Sequence, residues 1–212
     1  MPKGVVHVGA STGQEVPEYA EAQLRAGLFV EPLLEPFLAL EQRVAEHPQF
    51  KAVQAVCSDR DGAEVSLNVA SNGGESSSIL TPAAHTVLHG SVTFDRVELM
   101  QSQRLDTLCA RVEQASPGFI DQIDTLVMDV QGAELLVLKG AVETLRQINY
   151  VYSEVSLLDL YAGNAKLHEI IAFMRLFGFE LFNCNINRKF YGDALFVRMS
   201  HLTGRLGDAL KA

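Results

Sequence analysis

The sequence predicts an α/β fold on a mostly parallel sheet, and three observations carry that expectation. Short β-branched runs alternate with longer stretches of helical periodicity. The first three strand-like runs are joined by two such stretches, and crossovers of that length imply parallel pairing and right-handed connections. The last two runs are separated by a polar turn too short for a crossover, so they form an antiparallel hairpin.

The elements follow in order. Residues 4–8 read as a strand ended by Gly9. Residues 14–26 are helix-prone, with Val16, Tyr19, Ala20 and Leu24 near 3.6-residue spacing. Gly27 closes that helix, 28–31 is a second strand stopped by Pro32, and 33–46 an amphipathic helix. A third strand over 50–56 runs into the polar turn 58–62. Residues 63–70 alternate like a strand, and 71–78 form a Gly/Ser-rich loop suited to a mobile lid. A strand over 91–100 and a helix over 104–114 come next. Residues 123–129 are the clearest buried strand, ending on an acid. A helix over 133–146, a strand over 150–155 and a helix over 167–177 follow, and the hairpin strands are 179–183 and 194–198. No repeat or linker interrupts the pattern, so residues 1–212 are expected to form a single domain.

Composition narrows the function classes. The chain carries 26 Asp+Glu against 17 Lys+Arg, a net charge of −9, which opposes both nucleic-acid binding and a polybasic membrane anchor. With 48% hydrophobic and 20% charged residues it is an ordinary folded chain. Cys57, Cys109 and Cys184 form neither a CxxC pair nor a Cys/His cluster, so no disulfide framework or zinc site is expected. With no signal-peptide pattern and no apolar run approaching the ~20 residues of a membrane span, a cytoplasmic protein is expected, with a homo-oligomer as an option.

Ligands of open α/β sheets sit outside the carboxyl ends of the strands. After the first strand comes Gly9-Ala10-Ser11-Thr12-Gly13, a tight turn whose backbone can approach a ligand. Glu31 ends the second strand, placed to bind both hydroxyls of a ribose, and Ser58-Asp59 follows the third, placed to reach an adenine edge. Asp129 ends the fourth. Each has a bland alternative: a simple turn, a solvated strand end, turn chemistry, a helix cap. Falling together at consecutive strand ends, they favour a nucleoside cofactor. A dinucleotide fingerprint wants a third glycine where Val16 stands, and Tyr161 and Lys166 are five apart rather than in a Tyr-x-x-x-Lys pair. S-adenosylmethionine fits better, with an NAD-dependent oxidoreductase and a non-catalytic nucleoside-binding scaffold as the alternatives.

Here the residues reach a family. Val6-His7-Val8-Gly9-Ala10-Ser11-Thr12-Gly13, Val30-Glu31-Pro32, Val56-Cys57-Ser58-Asp59, Arg104-Leu105-Asp106, Met128-Asp129-Val130-Gln131-Gly132-Ala133-Glu134 and Gly192-Asp193-Ala194-Leu195-Phe196-Val197-Arg198 together resemble FkbM-type methyltransferases. The resemblance implies a class I methyltransferase, a Rossmann-like three-layer sandwich, using S-adenosylmethionine, usually to O-methylate a sugar or natural-product hydroxyl. It puts His7, Gly9, Ala10, Ser11, Gly13, Glu31, Pro32, Ser58, Asp59 and Asp129 at the cofactor. His7 is a departure, since the family usually has an acid there.

An alcohol acceptor must lose a proton, and Asp129 is the first candidate to take it. Glu154, ending the fifth strand, is expected to face the same crevice as a second catalytic or substrate-contacting acid. Ser78, His85, Tyr161 and Asp193 complete the expected acceptor contacts, and Glu134 is expected to favour its helix N-terminus. His85 and His89 are four apart, half of a zinc site with no third ligand evident, so no metal is expected.

Overall fold

A computed structural model of the chain describes residues 2–202. Seven strands make the main sheet: β1 (Gly4–Val8), β2 (Ala26–Glu31), β3 (Phe50–Gln54), β7 (Thr125–Met128), β8 (Tyr150–Ser156), β9 (Phe179–Ile186) and β10 (Tyr191–Arg198), in the order β3-β2-β1-β7-β8-β10-β9. The first five pair in parallel, and β10 runs antiparallel to both β8 and β9, as the short final turn requires. The order reverses between β1 and β7, which is where an open sheet leaves a crevice beyond its strand ends.

β1 and β2 are buried along their whole length, because the sheet is covered on both faces. On one face Val6, Val8, Leu28, Val30, Leu126 and Met128 pack against α4 (Leu105–Ala115), α5 (Glu134–Lys139) and α6 (Leu167–Leu176) through Leu105, Leu108, Val137, Leu138, Ile170 and Met174. On the other, Val5 and Phe29 meet α1 (Val16–Glu21) and α2 (Leu34–Val44) through Val16, Leu40 and Val44. Alternate strand residues point to opposite faces, so one register serves both layers.

Three departures from the sequence reading have local causes. The expected helix over 14–26 shortens to six residues: Val16 and Pro17 open it, and Gln23, at φ 57°, ends it. The expected third strand breaks at Ala55. Only β3 stays beside β2, while β4 (Val56–Cys57) joins β5 (Glu64–Val69) and β6 (Arg96–Gln103) in a second, three-stranded sheet. The expected helix over 133–146 ends at Lys139. A Cβ at Gly140 would lie 2.1 Å from the Ser58 carbonyl oxygen, so the chain passes that segment as bare backbone. The carboxylate of Asp106 then accepts the N–H groups of Glu143 and Thr144, which a continued helix would bond internally. One further helix, α3 (Ala84–Leu88), lies where only the His85/His89 spacing hinted at it.

Leu126 is fully buried in the central layer. Leu126→Ala is expected to lower unfolding free energy by about 2–5 kcal/mol, read by urea denaturation; a loss under about 1 kcal/mol would contradict this packing.

Candidate active site

A cavity of about 430 Å³ opens at the carboxyl ends of β1, β2, β7 and β8. The backbone builds its floor. Gly9 takes φ 82°, and a Cβ there would fall 1.8 Å from the carbonyl oxygen of Asp129. Only glycine lets the end of β1 pass that close to the end of β7. Gly9 and Ala10 then donate their N–H groups to Val30, which fixes the turn against β2.

That turn meets Glu31. The N–H of Ser11 donates to Oε2 and that of Leu33 to Oε1, both at 2.9 Å. Each oxygen keeps a second lone pair for a ligand hydroxyl. Glu31 is buried, and burial outweighs those two bonds, raising its pKa to about 7. Beside it His7 is buried and neutral, its pKa lowered by burial to about 4, with the Tyr19 hydroxyl 3.3 Å from Nδ1.

The second half of the site follows β7 and β8. Asp129 is open to the water of the cleft but closely surrounded by protein. Desolvation raises its pKa to about 6, helped by Asp193 and opposed by a bond from Gln131. Glu154 is pushed well above the carboxylate range by burial and by Asp129, Glu134 and Asp193. The Gln131 amide lies between the pair, Nε2 donating to Asp129 Oδ1 at 2.5 Å and standing 3.3 Å from Glu154 Oε2. Beneath them the buried Glu134 accepts the N–H groups of Val130 and Gly132. Its role is thus to hold the loop rather than only to favour a helix end.

Residues 72–79 flank the cavity and are tied to the loop after β7. Ser78 is buried and donates its hydroxyl to the Gln131 carbonyl oxygen at 2.7 Å. On the same wall the His85 ring stacks on His89 at 4.6 Å, with Nδ1 buried and lacking any hydrogen-bond partner. Among the described residues no group of three or more His, Cys, Asp or Glu is arranged to hold a metal ion.

Of the residues singled out in the sequence, His7, Gly9, Ala10, Ser11, Glu31, Pro32, Ser78, His85, Asp129 and Glu154 line the cavity. Five expected residues do not. Gly13, at φ 77°, makes the turn, with Leu40 packed 2.7 Å from where its Cβ would be. Ser58 and Asp59 are carried onto the second sheet by the break at Ala55, and Ala55, Val56 and Cys57 form the wall instead. Tyr161 is buried behind residues 72–79, its hydroxyl 2.8 Å from the Ser76 carbonyl oxygen and 2.9 Å from Gln131 Oε1. Asp193 pairs in register with Glu154 but does not line the cavity. Sequence reading missed Gln131, Asn72 and Glu75, whose only signal was their neighbourhood to the Asp129 motif and the Gly/Ser-rich loop.

The cavity's charge discriminates between cofactors. Its lining holds Glu15, Glu31, Glu75, Asp129 and Glu154, and no lysine or arginine among the described residues. Such a wall repels the pyrophosphate of a dinucleotide and suits a nucleoside bearing positive charge. A family model described as "Methyltransferase FkbM domain" matches residues 7–181. The chain belongs to the FkbM methyltransferase family. Its cofactor is S-adenosylmethionine, and the residues fit that group: a buried carboxylate for a ribose, a glycine turn for close approach, and an acidic lining for a sulfonium.

Among relatives, this FkbM chain is similar to the 2-O-methyltransferase NoeI of Sinorhizobium fredii, 27% identical over 174 residues, covering 79% of this chain and 69% of the relative. In fold it is similar to a protein of the NADB-Rossmann superfamily from Streptococcus agalactiae (TM-score 0.51, 13% identity), covering 93% of this chain and 64% of that one. It is also similar to magnesium protoporphyrin IX methyltransferase from Synechocystis with bound SAM (TM-score 0.50, 11% identity, 92% and 69% covered). The chain thus spans just under two thirds of the first of these structures. Among the described residues no helix is long and apolar enough to cross a membrane.

The raised carboxyls make stability depend on pH. Glu31, Asp129, Glu134 and Glu154 bind protons more tightly folded than unfolded. The folded chain therefore holds more protons, and stability falls as pH rises from about 4.5 through 7. Asp61 and Glu113, lowered by backbone N–H bonds, act oppositely under more acid conditions, and buried His7 opposes the four carboxyls as a single group between about pH 4 and 6.5. Urea denaturation of the ligand-free chain is expected to show highest stability near pH 5 and a decline to pH 8; a curve rising over that interval would contradict these assignments.

Proposed function

We propose that this chain, working as a single domain, is an S-adenosylmethionine-dependent O-methyltransferase acting on a hydroxyl of a sugar or related small molecule. The observation that carries this is the Asp129–Glu154 pair, set in the same cavity as the Glu31 turn. The NoeI relative, named as a 2-O-methyltransferase, supports an oxygen acceptor.

When bound, the cofactor supplies an activated methyl group. The chain's own residues then have three tasks. Glu31 and the closely approaching backbone of the Gly9–Ser11 turn hold the nucleoside, with His7, Pro32 and the Ala55–Cys57 wall around it. Residues 72–79 exclude water, which aligns the reactants and strengthens every charge interaction inside. Asp129 takes the acceptor's proton. Its pKa near 6 leaves it ionised at neutral pH, whereas Glu154 keeps a proton and can donate a hydrogen bond to an acceptor oxygen. Ser78 and the unpartnered Nδ1 of His85 offer further contacts to a polyhydroxylated acceptor.

Two variants test this against a panel of methyl glycosides with a free 2-hydroxyl, using labelled cofactor. Asp129→Asn is expected to bind S-adenosylhomocysteine normally but to turn over about 10²–10⁴-fold more slowly; undiminished turnover would remove Asp129 as the base. Glu31→Gln is expected to weaken S-adenosylhomocysteine binding at pH 8 by about 1.5–3 kcal/mol per lost charged hydrogen bond, and unchanged calorimetric affinity would refute the ribose assignment. Binding of NAD with no binding of either sulfur compound would overturn the function itself.

A further inference from the structure

Gln131 has no task in the chemistry above, yet it is the most heavily connected polar side chain at the cavity. Its backbone takes φ 54°, a left-handed conformation uncommon outside glycine and asparagine. From there Nε2 donates to Asp129 and approaches Glu154. Its Oε1 faces the Tyr161 hydroxyl at 2.9 Å, and its main-chain oxygen accepts from Ser78 at 2.7 Å. The Tyr161 hydroxyl also reaches the Ser76 carbonyl oxygen, so the amide lies between two carboxylates on one side and residues 72–79, the cover, on the other.

The groups facing this amide are acidic, phenolic or neutral. Asp129 follows β7, Glu154 comes from β8, Glu134 lies under the 130–132 turn, and Asp193 stands across from Glu154 on β10. Glu15 and Glu75 act on Asp129 from the first loop and the cover, and Tyr161 feels Tyr191 as well as the acids. His85, its pKa lowered by burial, packs at a tilt against Tyr161. None of these groups is a fixed cation, so a neutral amide donor is what separates two mutually repelling carboxyls here.

We propose that Gln131 is a positioning residue: its amide aligns the Asp129 and Glu154 carboxyls at the acceptor end of the cavity and, through Tyr161 and Ser78, makes that alignment depend on closure of residues 72–79. This rests on the reading that the two carboxyls face the acceptor. With the cover lifted, the main-chain oxygen loses Ser78 and the Tyr161 hydroxyl loses Ser76, which loosens the hold on the amide.

The test needs no acceptor. Gln131→Met keeps the side chain's length and removes its polar atoms. In protein with ¹³C-labelled Asp and Glu carboxyls, assigned with Asp129→Asn and Glu154→Gln, the midpoint of Asp129 is expected to rise by about one pH unit. Amide hydrogen exchange across 72–79 is expected to accelerate about tenfold or more. Gln131→Asn, which keeps an amide and tolerates the left-handed backbone but is one methylene short, is read in the same way should the methionine variant not fold. Tyr161→Phe is expected to accelerate exchange in the cover with a smaller effect on Asp129. A folded Gln131 variant with both the Asp129 titration and the 72–79 exchange unchanged would overturn the proposal. Undiminished turnover of Asp129→Asn, by contrast, would remove the acceptor reading while leaving the titration result standing.

Discussion

Everything at this site depends on how closely the backbone passes where β1 and β7 end. The strand order reverses between those strands, so their chain ends diverge and leave a crevice. Gly9 brings the turn after β1 against the Asp129 carbonyl, within a distance no side chain would permit. That approach sets two consequences at once. It directs the Ser11 N–H toward Glu31, and it fixes the loop from Asp129 to Gly132 on the opposite wall.

The second constraint is electrostatic. An acid-lined cavity with no fixed cation is unfavourable while empty, and the chain relieves it by raising carboxyl pKa values rather than by ion pairs. Backbone N–H groups at Glu31 and Glu134, and the Gln131 amide at Asp129, limit the cost without neutralising the charge. A positively charged ligand completes the arrangement. Stability, cofactor choice and the readiness of Asp129 to accept a proton thereby have one physical source.

Much of this was legible in the sequence, for a geometric reason. In a parallel sheet the residues ending consecutive strands share one edge, so Gly9, Glu31, Asp129 and Glu154 could be brought together without coordinates. The reasoning failed where the chain left that sheet. Ser58 and Asp59 follow a strand that breaks at Ala55 and continues in a different sheet, a change that depends on pairing with Ser102 and Gln103 far along the chain. Tyr161 was placed at the site but bonds behind it, because its partners, Ser76 and Gln131, are brought close only by folding. Gln131 itself sits inside a recognisable motif, but its side-chain bonds cross 30 residues to Tyr161 and 23 to Glu154, and no local pattern encodes them.

The most direct measurement compares calorimetric binding of S-adenosylmethionine and S-adenosylhomocysteine between pH 5 and 8. The two differ at sulfur, which is charged only in the first. Ionisation of the raised carboxyls should favour the charged compound, so affinity for S-adenosylmethionine is expected to climb with pH, with proton release to the buffer, more steeply than affinity for S-adenosylhomocysteine. Parallel pH dependences for the two compounds would contradict the claim that this acidic cavity is built around a sulfonium.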